Sequence, residues 1–538
     1  VTVGDLLGDF AGLVTYTPSG VVNISLPTSV SGGRADVFTI TGSGTASLTD
    51  GDLFDDELPV VTLDLDHAVI EVADFLTVSG PVAFRSQGMD ILGVGSGLTA
   101  RMEAGEVLVE LTGADFGMIS GAEAFAFEMK NGSLAVNLAP LADIAWTRAF
   151  VQYANAMTTV AADTTFSAGG LDYIFVDGVG AGVRAFAIEG FEADVLGFVS
   201  LGGDVKFRLQ GTDILAVGRN MTARLEVDPT IYIEVVGANL GLVAGMSGFA
   251  FELQNGDLNM QLGQAFEIGD VSVSVQFAGV DSPIIGPMII DVGLDSYEFK
   301  SAIGANIAAF DLSGLALGID GAFNISGDIG FRKVGLELPQ LQAVGSGLDV
   351  RLEVNSDVYV ALSGADLGLI VGAGNFALEL KGGVPEINLG PIDKDFLSVS
   401  GVQFQFTNPL TTVDVGTAVG IGDVNYTFAN GIAANTIGVA LQGIDASLRI
   451  SGTEIFHLTG DIALKRMGLE LVAVGSGLDV QMVVSDDFYV KLTGADFGLI
   501  AGGGQFGFEL KNGVPDISLG PIDKDFLSVS GVQFQFTN

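Results

Sequence analysis

Apolar and polar residues alternate with a period of two along much of this chain. Phe506, Phe508 and Leu510 would share one face of an extended strand, and the residues between them would share the other. Alternation of this kind, with many β-branched and aromatic residues, is typical of half-buried strands. Because the pattern recurs along the chain, we predict an all-β fold with very little helix.

One stretch, 141–158, looks helical when it is taken alone. It surrounds Trp146, is rich in alanine and has apolar residues three and four positions apart. It nevertheless aligns without gaps with 268–279 and 395–408, where the period of two is clear. We therefore predict strands in 141–158 as well.

Asn-Gly pairs join alternating runs at 131–132, 255–256 and 512–513, and a Gly-Gly pair stands at 382–383. Both residue types tolerate positive φ, which the commonest two-residue hairpin turns require. We predict a β-hairpin turn at each of these four places.

The sequence also repeats itself over long distances. The motif Gly-Ala-(Asp/Asn)-(Phe/Leu)-Gly begins at residues 113, 237, 364 and 494, in steps of 124, 127 and 130. The motif Val-Gln-(Phe/Tyr) begins at 151, 275, 402 and 532, in the same steps. The constant length between the two motifs indicates strands paired in a fixed register, and the insertions in the other half of each repeat indicate surface loops.

These steps define tandem repeats of about 125–130 residues. We place a divergent N-terminal β segment at 1–61, repeat 1 at 62–177, repeat 2 at 178–301, repeat 3 at 302–431 and a truncated repeat 4 at 432–538. No Pro- or Ser-rich linker separates the repeats, so we predict short antiparallel strands stacked in an elongated, β-solenoid-like array. A string of β-sandwich domains is the alternative.

The ends of repeats 3 and 4 are nearly identical. Residues 383–408 and 513–538 differ at only two positions, which indicates recent duplication. The chain begins at Val1 and ends on this copied stretch, so we expect it to be an excerpt of a longer polypeptide.

Acidic residues dominate the charge, with 65 Asp and Glu against 22 Lys and Arg and a formal net charge of −43. Such a chain repels phosphate backbones and is not expected to bind nucleic acid, whereas it attracts cations such as calcium. There is no cysteine, so disulfides and thiolate sites are excluded. The chain has no run of about 18 apolar residues, so the sequence does not predict a membrane-spanning helix.

Groups suited to catalysis are scarce. The two histidines, His67 and His457, lie at non-equivalent places in their repeats, and no Ser-His-Asp arrangement is visible. General acid–base and nucleophilic catalysis both need such groups, so we predict that the chain is not an enzyme.

Turns rich in aspartate are the candidate metal sites. The sequence Pro-Ile-Asp-Lys-Asp at 391–395 recurs at 521–525, and its alternate carboxylates offer two hard oxygen ligands to Ca²⁺. A denser acidic stretch occupies 50–57. At all three places the alternative is a solvated turn in which Asp bonds to its own backbone. The candidate ligands are Asp50, Asp52, Asp55, Asp393, Asp395, Asp523 and Asp525.

Three other sets of recurring residues are interpreted as structural. The first is the Asp of the Gly-Ala-Asp-Phe-Gly motif, which is exchanged for Asn in repeat 2, as a hydrogen-bonding turn tolerates. The second is a Glu on the polar face of a strand, where pairing with an exposed Arg of a neighbouring strand would be weak. The third is Tyr-x-Phe, interpreted as core. The sets are Asp115, Asn239, Asp366 and Asp496; Glu128, Glu252, Glu379 and Glu509 with Arg101, Arg224 and Arg351; and Tyr173, Tyr297 and Tyr426.

Runs such as Leu-Thr-Gly-Ala-Asp-Phe-Gly-Leu-Ile at 492–500 and Phe-Leu-Ser-Val-Ser-Gly-Val-Gln-Phe at 526–534 resemble the repeats of giant bacterial surface proteins. That class comprises adhesin-like and haemolysin-type calcium-binding proteins, although its nonapeptide Gly-Gly-x-Gly-x-Asp is absent here. The resemblance, which covers most of 62–538, implies an exported protein of the cell surface or matrix.

The sequence as a whole predicts a non-catalytic structural segment of a large extracellular protein, such as a stalk, fibre or adhesin repeat. Its high apolar content leaves room for self-association or lateral assembly, because sheets with two apolar faces need cover on both. The alternative is a calcium-dependent module that binds surface glycans.

Overall fold

The described part of the chain consists of strands joined by turns. The computed structural model describes residues 14–16, 21–25, 30–34, 38–49, 60–72, 75–87, 90–121, 124–138, 141–245, 248–262, 266–268, 271–279, 284–305, 307–319, 323–335, 339–389, 397–421, 424–434, 436–450, 453–467, 470–485, 487–502, 505–520, 529 and 531–537. Within these ranges there is no helix, which confirms the all-β prediction. In particular, no described helix is long and apolar enough to cross a membrane.

The strands reach 16 residues, which is longer than the sequence predicted. In the N-terminal segment and repeat 1 they are β1 (Val14–Tyr16), β2 (Val21–Ser25), β3 (Val30–Arg34), β4 (Phe38–Gly42), β5 (Gly44–Thr49), β6 (Val60–Val72), β7 (Leu76–Gln87), β8 (Asp90–Ala104), β9 (Val107–Ser120), β10 (Phe125–Lys130), β11 (Ser133–Asn137), β12 (Leu141–Ala145), β13 (Arg148–Ala154), β14 (Thr164–Ala168) and β15 (Leu171–Phe175). In repeat 2 they are β16 (Arg184–Val195), β17 (Val199–Gln210), β18 (Asp213–Asp228), β19 (Ile231–Gly245), β20 (Gly248–Gln254), β21 (Asp257–Leu262), β22 (Phe266–Ile268), β23 (Ser272–Ala278), β24 (Met288–Val292) and β25 (Asp295–Phe299).

In repeat 3 they are β26 (Ile307–Ile319), β27 (Phe323–Val334), β28 (Gln340–Asn355), β29 (Val358–Gly372), β30 (Asn375–Lys381), β31 (Val384–Leu389), β32 (Leu397–Ser398), β33 (Gly401–Thr407), β34 (Thr417–Ile421) and β35 (Val424–Phe428). In repeat 4 they are β36 (Ile437–Ile450), β37 (Thr453–Met467), β38 (Glu470–Ser485), β39 (Phe488–Gly502), β40 (Gln505–Lys511), β41 (Val514–Leu519) and β42 (Phe534–Thr537).

The chain divides into two compact units, which comprise 1–224, 235–257 and 275–307, and 225–234, 258–274 and 308–538. In the first unit β6, β7, β8 and β9 form an antiparallel meander that continues through β10, β13, β16 and β17. In the second unit the same order runs from β26 to β30 and on through β33 and β36 to β40. Strands that follow one another in this order are hydrogen-bonded neighbours. Their register is not the same in every repeat, contrary to what the constant motif spacing had indicated, because Glu128 lies opposite Gln152 whereas Glu379 lies opposite Gln405, two residues further along.

One hairpin in each of repeats 1 to 3 lies outside the meander. The pairs β14–β15, β24–β25 and β34–β35 each form a separate two-stranded sheet, and we call them the covering hairpins. The hairpin of repeat 1 lies against β8 and β9, and that of repeat 3 against β28 and β29. Their Tyr-x-Phe residues are buried between hairpin and sheet, which confirms the core prediction for this motif.

The long strands bend near their middles. The pairing of β6 with β7 shifts register between Leu65 and Ala68, and β7–β8 and β8–β9 have similar shifts. Bulges of this kind bend a strand and increase its twist. The rings of Phe75 and Tyr153, which lie at distant points of the meander, are buried together with their centroids 6.2 Å apart.

The prediction of hairpin turns at Asn-Gly is wrong. The strands on either side of Asn131, β10 and β11, both pair with β9 in one continuous register. Asn131 has φ of 63°, and Gly113 of the partner strand has φ of 71° at the same level. The positive φ therefore produces a kink shared by two neighbouring strands instead of a chain reversal. The pairs at 382–383 and 512–513 behave in the same way.

The helical-looking stretch 141–158 contains β12 and β13, as its alignment with the other repeats predicted. Here β13 pairs with β10 on one side and with β16 on the other. Pairing with two neighbours outweighs the weak helical preference of the alanine-rich sequence.

Candidate functional site

The recurring feature with most chemistry is a buried glutamate beneath each covering hairpin. Glu128, Glu252 and Glu379 are at most 2% exposed. The sequence placed these residues on the polar face of a strand, where an exposed pair with Arg was considered, and it did not predict their burial. The alternation was correct, but the covering hairpin packs on that face and removes it from water.

In repeat 1 the carboxylate of Glu128 accepts hydrogen bonds from three side chains. Tyr173 Oη donates to Oε1 at 2.9 Å, and Gln152 Nε2 donates to Oε2 at 2.7 Å. Lys130 Nζ also reaches Oε1 at 3.1 Å and neutralises the charge. A buried carboxylate is costly unless it is paired and hydrogen-bonded, so the cluster supplies what burial requires.

The same polar groups also bond to the backbone of the segment that covers them. Lys130 Nζ donates to the carbonyl oxygen of Ile174 in the hairpin, and Gln152 Nε2 donates to that of Gly178 at 2.9 Å. Tyr173 Oη in turn lies 3.1 Å from the carbonyl oxygen of Glu128. The carboxylate cluster, by which we mean this Glu with its Tyr, Gln and Lys partners, therefore joins hairpin to sheet through side chains.

Repeats 2 and 3 contain the same cluster with small changes. In repeat 2, Tyr297 Oη and Gln276 Nε2 lie 3.0 and 2.7 Å from the two oxygens of Glu252. The lysine position is occupied by Gln254, so the charge of Lys130 is not essential to the arrangement.

In repeat 3, Tyr426 Oη donates to Oε1 of Glu379 at 2.7 Å. Gln403 and Gln405 both donate to Oε2, at 2.6 and 2.8 Å, and Lys381 Nζ lies 3.2 Å from Oε1. As in repeat 1, the lysine also donates to a backbone carbonyl of the hairpin, that of Thr427.

The last glycine of the Gly-Ala-Asp-Phe-Gly motif makes room for the tyrosine. A Cβ at Gly117 would overlap the ring of Tyr173, and the same holds for Gly241 with Tyr297 and Gly368 with Tyr426. These glycines are needed for close approach of a side chain, because none of them has a positive φ. The motif is therefore part of the seat on which the hairpin packs.

Burial controls the protonation of the tyrosines. Desolvation, together with the adjacent carboxylate, strongly raises the pKa of Tyr173, Tyr297 and Tyr426. Each phenol therefore stays protonated throughout the physiological pH range and donates a hydrogen bond to the glutamate. A phenol held in this state acts as a fixed hydrogen-bond donor and is unsuited to serve as a base.

The aspartate of the motif has the structural role that the sequence predicted, although it lies at the shared kink and not in a turn. Asp115 accepts hydrogen bonds from Ser96 Oγ at 2.8 Å and from Asn131 Nδ2 at 2.9 Å. It thereby connects three neighbouring strands where they kink. Asn512 donates to Asp496 in the same way at 2.8 Å.

The weak cross-strand pair anticipated for Arg101 does not involve Glu128. Arg101 instead lies 2.7 Å from Glu103 and 3.3 Å from Glu110, and its side chain is about half exposed. Exposed pairs of this kind contribute little to stability, because solvent screens them. They are surface features, whereas the carboxylate cluster is part of the core.

The predicted metal ligands all fall outside the described residues. These are Asp50, Asp52, Asp55, Asp393, Asp395, Asp523 and Asp525. Among the residues that are described, no group of three or more His, Asp or Glu side chains is arranged to hold a metal ion. The calcium hypothesis therefore continues to rest on the sequence.

Sequence reasoning missed the glutamine of the carboxylate cluster. A Gln follows the Glu by 24 residues in all four repeats, at Gln152, Gln276, Gln403 and Gln533. The Val-Gln-(Phe/Tyr) motif was recognised, but only its register was interpreted. Its constant distance from the Glu was the signal that could have shown the contact.

No protein-family model matches this chain, and a search of curated proteins finds no match. Its function is therefore inferred from the chemistry of the carboxylate clusters and from the sequence pattern.

Proposed function

We propose that this chain is a structural, non-catalytic repeat segment of a large extracellular protein, with a role as a stalk, fibre or matrix element. The observation that carries the proposal is the threefold recurrence of the carboxylate cluster. Its strongest polar groups are used within the fold, where they join a hairpin to a sheet.

The chemistry of the clusters favours a mechanical role over a catalytic one. Oε1 and Oε2 of Glu379 accept from Tyr426, Gln403, Gln405 and Lys381, so both oxygens are occupied. A general base needs an oxygen that can reach a substrate proton. A satisfied and buried network instead rigidifies the element it holds.

An extracellular location is supported by the sequence pattern. The near-identical ends of repeats 3 and 4, the net charge of −43 and the resemblance to giant bacterial adhesin-like proteins favour an exported array. Within such an array we propose that the repeats stack in an elongated, solenoid-like arrangement. Calcium at the acidic turns would add rigidity to it.

Single-molecule stretching of the whole chain tests the mechanical role. A repeat of about 125 residues releases roughly 40–45 nm when it is extended, so we expect force peaks at about that spacing. Replacing Tyr426 by Phe should lower the force of one peak and leave the others unchanged. Smooth extension at low force, without peaks, would contradict a load-bearing role.

A glycan-binding assay separates this proposal from the calcium-dependent lectin alternative. The chain is applied to immobilised glycans with calcium and again with excess chelator. We expect no saturable, calcium-dependent binding to a defined glycan. Such binding would replace the structural proposal with a recognition function.

A further inference from the structure

The covering hairpins of neighbouring repeats differ in charge at one equivalent position. The first residue of the second hairpin strand, which we call the tip position, is Leu171 in repeat 1, Asp295 in repeat 2 and Val424 in repeat 3. In each hairpin this residue pairs with the last residue of the first strand. The three tip positions are therefore equivalent, and only that of repeat 2 is charged.

In repeat 2 the tip carboxylate is held by two cations of the meander. Lys206 Nζ on β17 lies 2.7 Å from Oδ2 of Asp295, and Arg219 Nε on β18 lies 2.5 Å from Oδ1. The side chain of Asp295 is only 16% exposed. Burial alone would raise the pKa of this carboxyl, but its bonds to the two cations lower the pKa below its ordinary value. The seat of repeat 2 thus favours a negative charge at the tip position.

Repeat 1 has neither cation at the corresponding positions of its seat. The strand pairings place Ala83 at the position of Lys206 and Ser96 at that of Arg219. The hydroxyl of Ser96 bonds instead to Asp115 within the meander. An acidic tip would therefore find no partner of opposite charge at these positions.

A partly buried carboxylate lies beneath the hairpin tip of repeat 1. Asp64 Oδ1 would be 2.8 Å from a Cβ at Gly169, which is in the turn of the hairpin. The pairings place Ala187 of repeat 2 at the position of Asp64. Repeat 3 resembles repeat 1, because Asp311 occupies this position and lies beside Gly330, where repeat 2 has its lysine. The tip and the seat therefore change charge together between neighbouring repeats.

The other contacts of the hairpins do not distinguish one repeat from the next. All three seats offer a buried glutamate and a glycine to the tyrosine of the hairpin. The hairpin of repeat 1 also lies between two seats in the chain, since it follows β13 and precedes the strands of repeat 2. Correct docking thus needs a feature that differs between repeats, and a repulsive charge against the wrong partner provides such a feature.

We propose that the charges around the tip position determine which seat each covering hairpin binds. Lys206 and Arg219 select the hairpin that carries Asp295. Asp64 excludes an acidic tip from repeat 1, and Leu171 on the seat of repeat 2 would leave both cations without their acceptor. This assignment concerns how hairpin and repeat are matched, and it holds whether or not the proposed structural function is correct.

The test exchanges the tip residues of repeats 1 and 2 in the full chain. Asp295→Leu and Leu171→Asp each give a hairpin the tip residue of its neighbour. Amide hydrogen exchange, followed by mass spectrometry, reports local opening of 284–303 and 160–179. We expect exchange in the altered hairpin to become about fivefold faster or more, because a charge pair is lost or a like charge is added. Exchange across 413–432 should not change.

Conservative variants separate charge from packing. Asp295→Asn should accelerate exchange across 284–303, whereas Asp291→Asn, on the exposed face of the same hairpin, should not. Leu171→Asn introduces a polar group without a charge and should have a smaller effect than Leu171→Asp. Adding Asp64→Asn to Leu171→Asp removes the like charge and should slow exchange to the rate of Leu171→Asn.

Changes on the seat test the role of the two cations. Lys206→Ala combined with Arg219→Ser gives repeat 2 the residues of repeat 1. In this background Asp295→Asn should no longer accelerate exchange across 284–303, because the carboxylate has lost its partners. Coupling of this kind is what a double-mutant cycle measures.

Faster exchange that depends on both the tip charge and the seat charge supports the proposal. Equal effects of Leu171→Asp and Leu171→Asn would overturn the exclusion of an acidic tip from repeat 1. An effect of Asp295→Asn that persists without Lys206 and Arg219 would overturn selection by these cations. Unchanged exchange in both tip variants would show that the shared tyrosine and glutamate contacts alone determine docking.

Discussion

The hydroxyl of Tyr173 lies 2.9 Å from Oε1 of Glu128, although 45 residues separate them in the chain. The same bond joins Tyr297 to Glu252, again over 45 residues. A hairpin of two five-residue strands would be marginal by itself. This bond, with the ring packed on a glycine, ties the hairpin to the meander and turns a polar strand face into core.

Removing one tyrosine hydroxyl should loosen one hairpin. Replacing Tyr426 by Phe deletes the donor to buried Glu379, and hydrogen bonds to charged groups contribute about 1.5–3 kcal/mol. Since 1.4 kcal/mol is a factor of ten, we expect amide hydrogen exchange across 413–432 to accelerate by roughly 10- to 100-fold.

The control for this change is Tyr359→Phe in the same repeat. The Tyr359 hydroxyl also bonds to a carboxylate, Glu386, at 2.6 Å, but this contact is exposed. Exposed polar contacts are worth about 0–1 kcal/mol, so exchange of the hairpin amides should not change. Equal effects of the two variants would show that the buried cluster does not hold the hairpin.

The glycine beneath the tyrosine should tolerate no side chain. Replacing Gly241 or Gly368 by Ala would force a methyl group into the ring of Tyr297 or Tyr426. Overpacking of this kind costs about 1–3 kcal/mol, and we expect the unfolding midpoint of the chain to fall. Gly498→Ala is the matched control and should leave the midpoint unchanged, measured by circular dichroism during heating. A similar fall for Gly498→Ala would mean that the effect arises from the backbone and not from the ring.

The sequence predicted which strand face the glutamate of the carboxylate cluster lies on better than it predicted the environment of that face. Periodicity shows which residues share a strand face, and it placed Glu128 correctly opposite its apolar neighbours. It cannot show whether water or another segment covers that face, because the covering hairpin comes 45 residues later in the chain. The Tyr-x-Phe motif was recognised as core, but the buried glutamate that accepts a hydrogen bond from its tyrosine was not identified.

The Asn-Gly error has a related cause. Positive φ at Asn131 follows from local chemistry and was predicted correctly. Whether that φ reverses the chain or kinks it depends on which strand lies alongside, and here β9 pairs with the segments on both sides. Strand pairing is a long-range property, so a local motif could not reveal it.

A partly buried aspartate should make repeat 3 more stable in mild acid. Burial, with the nearby Asp328 carboxylate, raises the pKa of Asp311 to about 6. The folded chain therefore binds this proton more tightly than the unfolded chain, and stability falls as pH rises from about 4 through 6. Asp311→Asn removes the charge and should raise the free energy of unfolding by about 2 kcal/mol at pH 7.5.

The difference between wild type and Asp311→Asn should become small near pH 3, where Asp311 is largely protonated in both states. Denaturant unfolding at the two pH values measures it, and Asp357→Asn, at an exposed turn, is the control. An Asp311→Asn effect of the same size at both pH values would attribute the change to packing, with no contribution from ionisation.

Calcium should stabilise the chain if the acidic turns are sites. A ligand that binds only the folded state raises the free energy of unfolding, by about 2.7 kcal/mol at one hundred times its dissociation constant. We predict a higher unfolding midpoint in millimolar calcium than in excess chelator. The combined change of Asp393, Asp395, Asp523 and Asp525 to Asn should remove the difference. Equal midpoints with calcium and with chelator would identify these turns as solvated loops.

The strongest dependence on a single side chain is expected at the glutamate itself. Replacing Glu379 by Ala leaves Lys381, Tyr426 and two glutamines without their shared acceptor, and removing one member of a buried charged pair costs about 3–5 kcal/mol.

Glu509→Ala removes the same residue type, with the same lysine and glutamine partners, in repeat 4, where the glutamate side chain is 35% exposed. Because Glu509 and its partners remain accessible to water, we expect a much smaller loss of stability there. Thermal unfolding of the two variants makes the comparison. If Glu509→Ala were as destabilising as Glu379→Ala, the contribution of the glutamate to stability would come from its contacts within the sheet. Stability would then not depend on the covering hairpin.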